Sequence, residues 1–499
     1  MQRCLARTAA RHSSSGSRWS LCRWKALTPP SEAEFGRLPA APRRSLCASS
    51  SSVAPVEEPK VLRRAEAAAE ADGTEIDAEG DIPPEVSELF DTLRGEAMRR
   101  LDEFGPIHLF SLCWAYSTAR LLDDDLQRRI TRAALRLGEK RDAARSGDSR
   151  SGGKAVSFSD AEKAGSAEGP EDSSQKGPEG AMRAEPYIAQ ESDHWLALFK
   201  PPNWTVSVDS KEATKQAAVT PFEDDEEADA DEELLAAGGR PRVHAWIRRH
   251  LAEKYPICTD ATEAFGLLHR LDAQTSGLLV CAKSYVGAYW LRLQWCSYLV
   301  DKEYICLVHG WVDRSEREIH KRIRVDKRKA PNSRRTVSTH CTVGANGKPS
   351  YTELYTLAHL QGPSRENGSA SDDGRYSLVA LKLHTGRTHQ IRVHMLSIGH
   401  PLVTDSKYAE GLLGADKVWC PRNFLHTYRL AFKDVPTEEE LDGVGSGKLK
   451  ELYCPLPEDL RDCLSTLKPI DEVSQRHVSD WITGDRTKMS SFDAYLEQG

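Results

Sequence analysis

A chain of 499 residues has room for two or three domains, and its 39% hydrophobic and 29% charged residues fit packed domains joined by polar segments that bury little. No apolar run approaches the length that spans a bilayer. The twelve cysteines form no C-x-x-C pair and no Cys/His cluster at zinc-ligand spacing, which argues against a structural metal and for reduced thiols.

The formal charge of −7 is local in origin, because nine carboxylates lie between Glu223 and Glu233. Without them the remainder is slightly positive, so the acidic sum does not exclude a polyanionic partner. At the other extreme, Arg3, Arg7, Arg11, Arg18, Arg23 and Lys25 come with no acidic residue and a serine-rich stretch from Ser13 to Ser20. That pattern predicts an organellar transit peptide within residues 1–60, bound for a mitochondrion or a chloroplast.

Residues 83–142 read as helical. Val86, Leu89, Phe90, Leu93, Ala97 and Leu101 recur at three- and four-residue spacing, as do Leu126, Ile130, Ala133, Ala134 and Leu137. Gly105-Pro106 separates them from a third apolar stretch, Ile107 to Leu122. The result is a small all-α region, similar to one unit of the helical-repeat arrays of organellar RNA-binding proteins. One repeat can hardly bury its own face, so a small bundle is the plainer reading. Residues 143–190 are polar and predict a linker.

A second domain follows over 191–467, interrupted by the acidic insertion at 222–238 and a polar loop at 361–375, with residues 468–499 as a C-terminal tail. Leu278–Ala282, Tyr304–Val308 and Leu378–Leu383 have strand character, and Val243–Leu251 and the Ile391, Met395, Ile398 stripe are helical. Strands and helices without a βαβ repeat or a Gly-rich phosphate loop predict an α+β domain.

Two segments carry chemistry. In LLHRLDAQTSGLLVCAKS (267–284), Arg270 and Asp272 precede a Thr-Ser-Gly turn that enters a buried strand, a rigid place to hold one carboxylate. In LKLHTGRTHQIRVHMLSIGHPLVTDSKY (381–408), Thr388 is the expected cap of a helix that places Arg392 on the flank of its apolar stripe. A half-buried guanidinium needs a carboxylate partner. Asp272 is the candidate, and the pairing would keep it ionised at neutral pH. The spacings of His384, His389, His394 and His400 put no pair on one helical face, so no metal is expected.

HRLDAQTSGLLV and LHTGRTHQIRVHML with GHPLVTDSKY resemble the catalytic and C-terminal motifs of RluA-type RNA pseudouridine synthases. LALFKPPNWTVSV, DKEYICLVHG and FLHTYRLAF agree in the family's order. The resemblance implies a mixed, largely antiparallel sheet with flanking helices, and an intramolecular isomerisation of uridine that needs no cofactor. It implies that Asp272 acts at C1′, that Arg392 pairs with it, and that Tyr304 packs on the uracil and helps remove the C5 proton. Arg270 would fill the gap left by the flipped nucleotide. His269, Lys200, Arg387, His389 and Gln390 fall in the matched motifs as substrate-binding residues. The expected partner is ribosomal, transfer or messenger RNA, met by a monomer without a separate S4-type domain.

The basic run Lys321, Arg322, Arg324, Lys327, Arg328, Lys329, Arg334 and Arg335 is expected to contact phosphates. Two positions depart from the family pattern, Asn203 and Thr404, each where glycine is usual. A second reading of the same residues is a catalytically silent RNA-binding or ribosome-assembly factor. A glycoside hydrolase would need a second motif-borne carboxylate, which is not seen.

Overall fold

The computed structural model describes residues 84–148, 184–206, 240–329, 336–362, 374–442 and 447–498. The 1–60 targeting segment, the acidic insertion 222–238, and the interiors of the 143–190 linker and the 361–375 loop lie outside them.

Three helices open the described chain: α1 (Pro84–Arg100), α2 (Pro106–Thr118) and α3 (Asp124–Asp148). Pro106 begins α2, where its missing N–H is no loss. Asp123 caps α3 by accepting from Leu126 N at 2.8 Å. The periodic residues Phe90, Leu93, Ala97, Leu126, Ile130 and Ala134 are all buried. They do not form a bundle of their own. Their core continues into the second domain through Trp195, Leu279 and Tyr289, and α3 extends to Asp148, into the stretch expected as linker.

The second domain starts with β1 (Tyr187–Glu191) and β2 (Trp195–Lys200), a few residues earlier than the sequence suggests. Then come α4 (Val243–Leu251), β3 (Ser276–Ala282), α5 (Tyr285–Cys296) and β4 (Asp301–His309). Next are β5 (Glu318–His320), the hairpin of β6 (Ile323–Lys329) and β7 (Thr336–Val343), and the long strands β8 (Tyr351–Gln361) and β9 (Arg375–Leu383). α6 (Gln390–Ser397), α7 (Glu410–Asp416) and β10 (Leu425–Lys433) complete the motif-bearing part.

The main sheet runs β1-β2-β3-β10-β4-β9-β8, and its pairs are antiparallel except β3 with β10. That is the mixed, largely antiparallel α+β sheet expected from the sequence. The exception matters for function. His426 and Thr427 pair with Ser276 and Gly277, and Thr427 also faces Tyr304, so three strand ends meet beside the Asp272 loop. Gly277 permits the approach: at φ 122 a Cβ there would lie 2.3 Å from Thr427 O.

Residues 468–499 are not a tail. After β11 (Leu449–Tyr453) and α8 (Glu458–Ser465), the short β12 (Lys468–Pro469) pairs with β8. α9 (Glu472–Thr483) and α10 (Phe492–Gln498) cover the far side of the sheet, where Val478, Trp481, Phe492 and Tyr495 join a core with Tyr428 and Leu307. Their apolar residues recur at helical spacing, and burying them stabilises the domain in the usual way. The sheet is thus sandwiched between α1–α3 with α5 on one side and α8–α10 on the other. Among the described residues no helix is long and apolar enough to cross a membrane.

Candidate active site

The loop that carries Asp272 is held by its backbone. Thr275 N donates to Asp272 O at 3.1 Å, closing a turn, and Ala273 O accepts from Asn203 N at 2.7 Å and from Lys200 Nζ at 2.9 Å. On the other side, Arg422 donates from Nη1 to Gln274 O at 3.3 Å and from Nη2 to the Ser276 hydroxyl at 3.0 Å. Arg422 is itself gripped by both oxygens of Asp459, at 2.6 and 3.1 Å. Two buried cations therefore fix the two carbonyls that follow Asp272, while its side chain keeps 21% exposure. Asn203 stands at φ 66, the left-handed conformation that asparagine tolerates in place of glycine.

Arg392 reaches this carboxylate from α6. Its Nη1 lies 3.4 Å from Asp272 Oδ2, while Nε and Nη2 make 2.7 Å bonds to the two oxygens of Asp405. Its guanidinium also lies 4.9 Å over the Tyr408 ring. The pairing of Arg392 with Asp272 expected from the sequence is present. The main counter-charge, however, is Asp405, fully buried and also accepting from Lys407 N and Tyr408 N at 2.9 and 3.0 Å. Burial would lower the pKa of Arg392, but Asp405 and then Asp272 raise it above its ordinary value. Burial likewise opposes ionisation of Asp405, yet Arg392 and the two amides hold it below the carboxylate range. Arg392 is thus more buried, at 8%, than its flank position suggests.

The start of α6 differs from expectation. Its N-cap is His389 at φ 51, without a side-chain cap bond, and Thr388 Oγ1 is buried with no hydrogen-bond partner among the described residues. Gln390 does the holding instead, accepting from Thr385 Oγ1 at 2.8 Å and Arg387 N at 3.0 Å. Thr404 adopts φ 59, an unfavourable value for a β-branched residue. Bonds of 2.9 Å from its N to Asp416 and from its hydroxyl to Cys420 O pin it there, next to Asp405.

Tyr304, on β4 opposite Thr427, is buried. Burial and, less strongly, Asp272 raise its hydroxyl pKa, with Thr427 counteracting, so it stays a phenol at neutral pH.

Of the six side chains expected to meet substrate, four are framework. His269 stacks on Trp295 at 5.0 Å and accepts from Val280 N at 2.9 Å. Burial, then Lys302, pushes it down to about 3, so it is neutral. Lys200 is fully buried on the loop carbonyls, Gln390 donates to Tyr351 O and Thr352 Oγ1 at 2.9 Å, and His389 Nδ1 lies 2.7 Å from the Tyr408 hydroxyl. Only Arg387, half-buried with its Nε 3.4 Å from Pro349 O, and the half-buried Arg270 remain near the surface.

In the basic run, Lys321 donates to Ser397 O, Arg322 to Gly347 O, and Arg324 pairs with Asp326. Lys327, Arg328 and Lys329 lie on β6, whereas Arg334 and Arg335 lie outside the described residues. Among the described residues no three His, Cys, Asp or Glu side chains are grouped to hold a metal ion. Instead His384 pairs with Glu353, and His394 bonds Thr352.

Sequence reasoning missed Asp405, Arg422 and Asp459. Asp405 stood within a recognised motif, and a count of donors could have found it: one carboxylate cannot satisfy the five N–H groups of a buried guanidinium. Arg422 and Asp459 are 37 residues apart and carry no local pattern.

The family model described as RNA pseudouridylate synthase matches residues 194–397. The chain is 33% identical over 51% of its length to the ribosomal large subunit pseudouridine synthase D of Nitrosomonas europaea, covering 66% of that protein. It is 32% identical over 41% of its length to the uncharacterized RNA pseudouridine synthase YlyB of Bacillus subtilis, covering 56% of it. It spans, then, only about two thirds and just over half of these two relatives. Against the dual-specificity RNA pseudouridine synthase RluA of Vibrio parahaemolyticus it is 36% identical over 40% of its own length and 70% of that protein. The family model spans the strands and loops around Asp272 and Arg392, and with 36% identity over 70% of that relative this chain belongs to the RluA-type RNA pseudouridine synthase family.

Proposed function

We propose that this protein isomerises uridine to pseudouridine in RNA, with Asp272 acting at C1′ of a flipped-out nucleotide. The N1–C1′ bond breaks, the uracil turns, and a C5–C1′ bond forms. C5 gives up its proton and N1 gains one, so no outside atom, oxidant or cofactor enters. Asp272 is one carboxylate on an immobilised loop, steered by Arg392, and such preorganisation is worth most where water is excluded. Tyr304, as a protonated phenol, packs against the ring and is a poor base. The proton acceptor in reach is the Asp272 carboxylate. Arg270 fills the vacated stack, and the β6–β7 hairpin with its basic run contacts phosphates.

The arginine-rich, acid-free residues before Pro29 favour an organellar RNA, ribosomal, transfer or messenger, modified by a monomer in a mitochondrion or chloroplast. The observation that carries the reading is a single partly exposed carboxylate 3.4 Å from a buried guanidinium that is otherwise neutralised.

The test is Asp272→Asn, nearly isosteric. Purified variant and parent are incubated with RNA from cells lacking the protein, and pseudouridines are mapped. The parent restores sites and the variant does not, while RNA affinity stays within a few-fold. Pseudouridine formed by the variant would end the assignment. Fluorescent fusion of residues 1–60 checks the organelle.

A further inference from the structure

The N-terminal helices precede the family match, which begins at residue 194, so their role is not given by it. α3 packs along α5 and buries Leu126, Ile130, Ala133 and Ala134. Its opposite side is cationic. At about 100° per residue, Arg129, Arg132, Arg136 and Lys140 fall within about 80° of arc, and all four are exposed. Half-buried Arg128 flanks them. From Arg129 to Lys140 the stripe runs about 16 Å.

The acids on this helix offset the stripe only in part. Asp125 is shared between Arg94 at 3.4 Å and Arg129 at 3.3 Å. Asp142 faces inward, accepting from Tyr285 N and Val286 N at 3.0 and 3.1 Å to cap α5. Among the described residues of this helix, Glu139 is the exposed carboxylate beside the stripe.

The helix is also fixed to the catalytic domain rather than tethered to it. Arg141 bonds Glu263 and the Tyr289 hydroxyl, and a Cβ at Gly138 would meet Val286 backbone at 2.7 Å. A row of cations one helical turn apart, held rigidly on an enzyme whose substrate is a polyphosphate strand, fits that strand by charge and spacing.

We infer that the Arg129–Lys140 face of α3 is a second RNA-binding surface, which engages the sugar-phosphate backbone away from the target uridine. The inference rests on the pseudouridine synthase reading for its partner.

The full chain is compared with Arg132→Gln/Arg136→Gln/Lys140→Gln and, separately, with Glu139→Lys. The probes are total ribosomal RNA and a short uridine-bearing hairpin, and affinity is followed against salt. The triple variant should bind ribosomal RNA at least several-fold more weakly, with the log–log salt slope reduced by about two units. Hairpin binding and hairpin turnover should stay as in the parent. Glu139→Lys should steepen the slope. Unchanged affinity and slope in both variants would overturn the inference, as would preferential capture of phosphatidylglycerol vesicles by the parent's stripe. If the parent forms no pseudouridine yet the triple variant loses ribosomal RNA, the catalytic reading fails and this surface stands.

Discussion

Asp405→Asn should unfold the enzyme more readily than removal of the Asp272 carboxylate. Asp405 is fully buried and receives two 2.7 Å bonds from a guanidinium that is 9% exposed. Breaking such a pair costs about 3–5 kcal/mol, because the surviving charge is left uncompensated. An asparagine keeps one acceptor but turns an amide donor toward the guanidinium, so the full range applies. Asp272, by contrast, makes one 3.4 Å contact and is 21% exposed. Its replacement by asparagine should cost no more than about 1 kcal/mol. Arg392 in the Asp405 variant would then draw on Asp272 alone and pull it from its working position, slowing single turnover by about 10–100-fold, or about 1.4–2.7 kcal/mol. Urea unfolding at neutral pH measures the first quantity and single-turnover pseudouridine formation the second. The division of labour is refuted if Asp272→Asn destabilises as much as Asp405→Asn, or if Asp405→Asn leaves both quantities unchanged.

Arg422→Ala should lower kcat with little change in KM, since Arg422 holds the Gln274 carbonyl and the Ser276 hydroxyl rather than RNA; added guanidinium should restore part of the rate, and no rescue with a fallen KM would contradict this. His269 is pushed down to about 3, and His394 and His426 to about 4, by burial first. Their folded pKa values lie below the unfolded value near 6.5, so the stability they contribute is full above that pH and is lost as pH falls toward 4. The slope should approach about 4 kcal/mol per pH unit if all three behave so, and titration near 6.5 of the imidazole resonances assigned to these three in the folded protein would disprove it. Gly277→Ala should fail to pair β3 with β10, because its Cβ would sit 2.3 Å from Thr427 O; a variant with parental melting and turnover would refute that.

Much of the fold was legible because the relevant signals are local. The continuous apolar run Leu278–Ala282 lies within β3, and Val243–Leu251 is a helix over that same span. The linker and tail boundaries were less so. Val478, Trp481, Phe492 and Tyr495 look like sparse apolar residues in a polar stretch until the sheet face that they cover is known. Thr388 has the chemistry of a cap, but a left-handed His389 and the Gln390 side chain satisfy the local backbone instead.

The same distinction governs the site. A buried guanidinium near Asp272 could be argued from charge burial alone, and the contact spans 120 residues. Membership of a motif, however, does not separate a group that touches substrate from one that shapes the loop. Lys200, His269, His389 and Gln390 belong to the second kind, since each is buried and bonded to backbone or to a framework side chain. The number of partners explains why. The Asp272 loop exposes one carboxylate only because its own carbonyls at 273 and 274 are taken by Lys200 and Arg422, and because Arg392 has Asp405 to neutralise it. Remove either arrangement and the guanidinium or the loop would claim Asp272 for structure, leaving no partly exposed carboxylate on this loop.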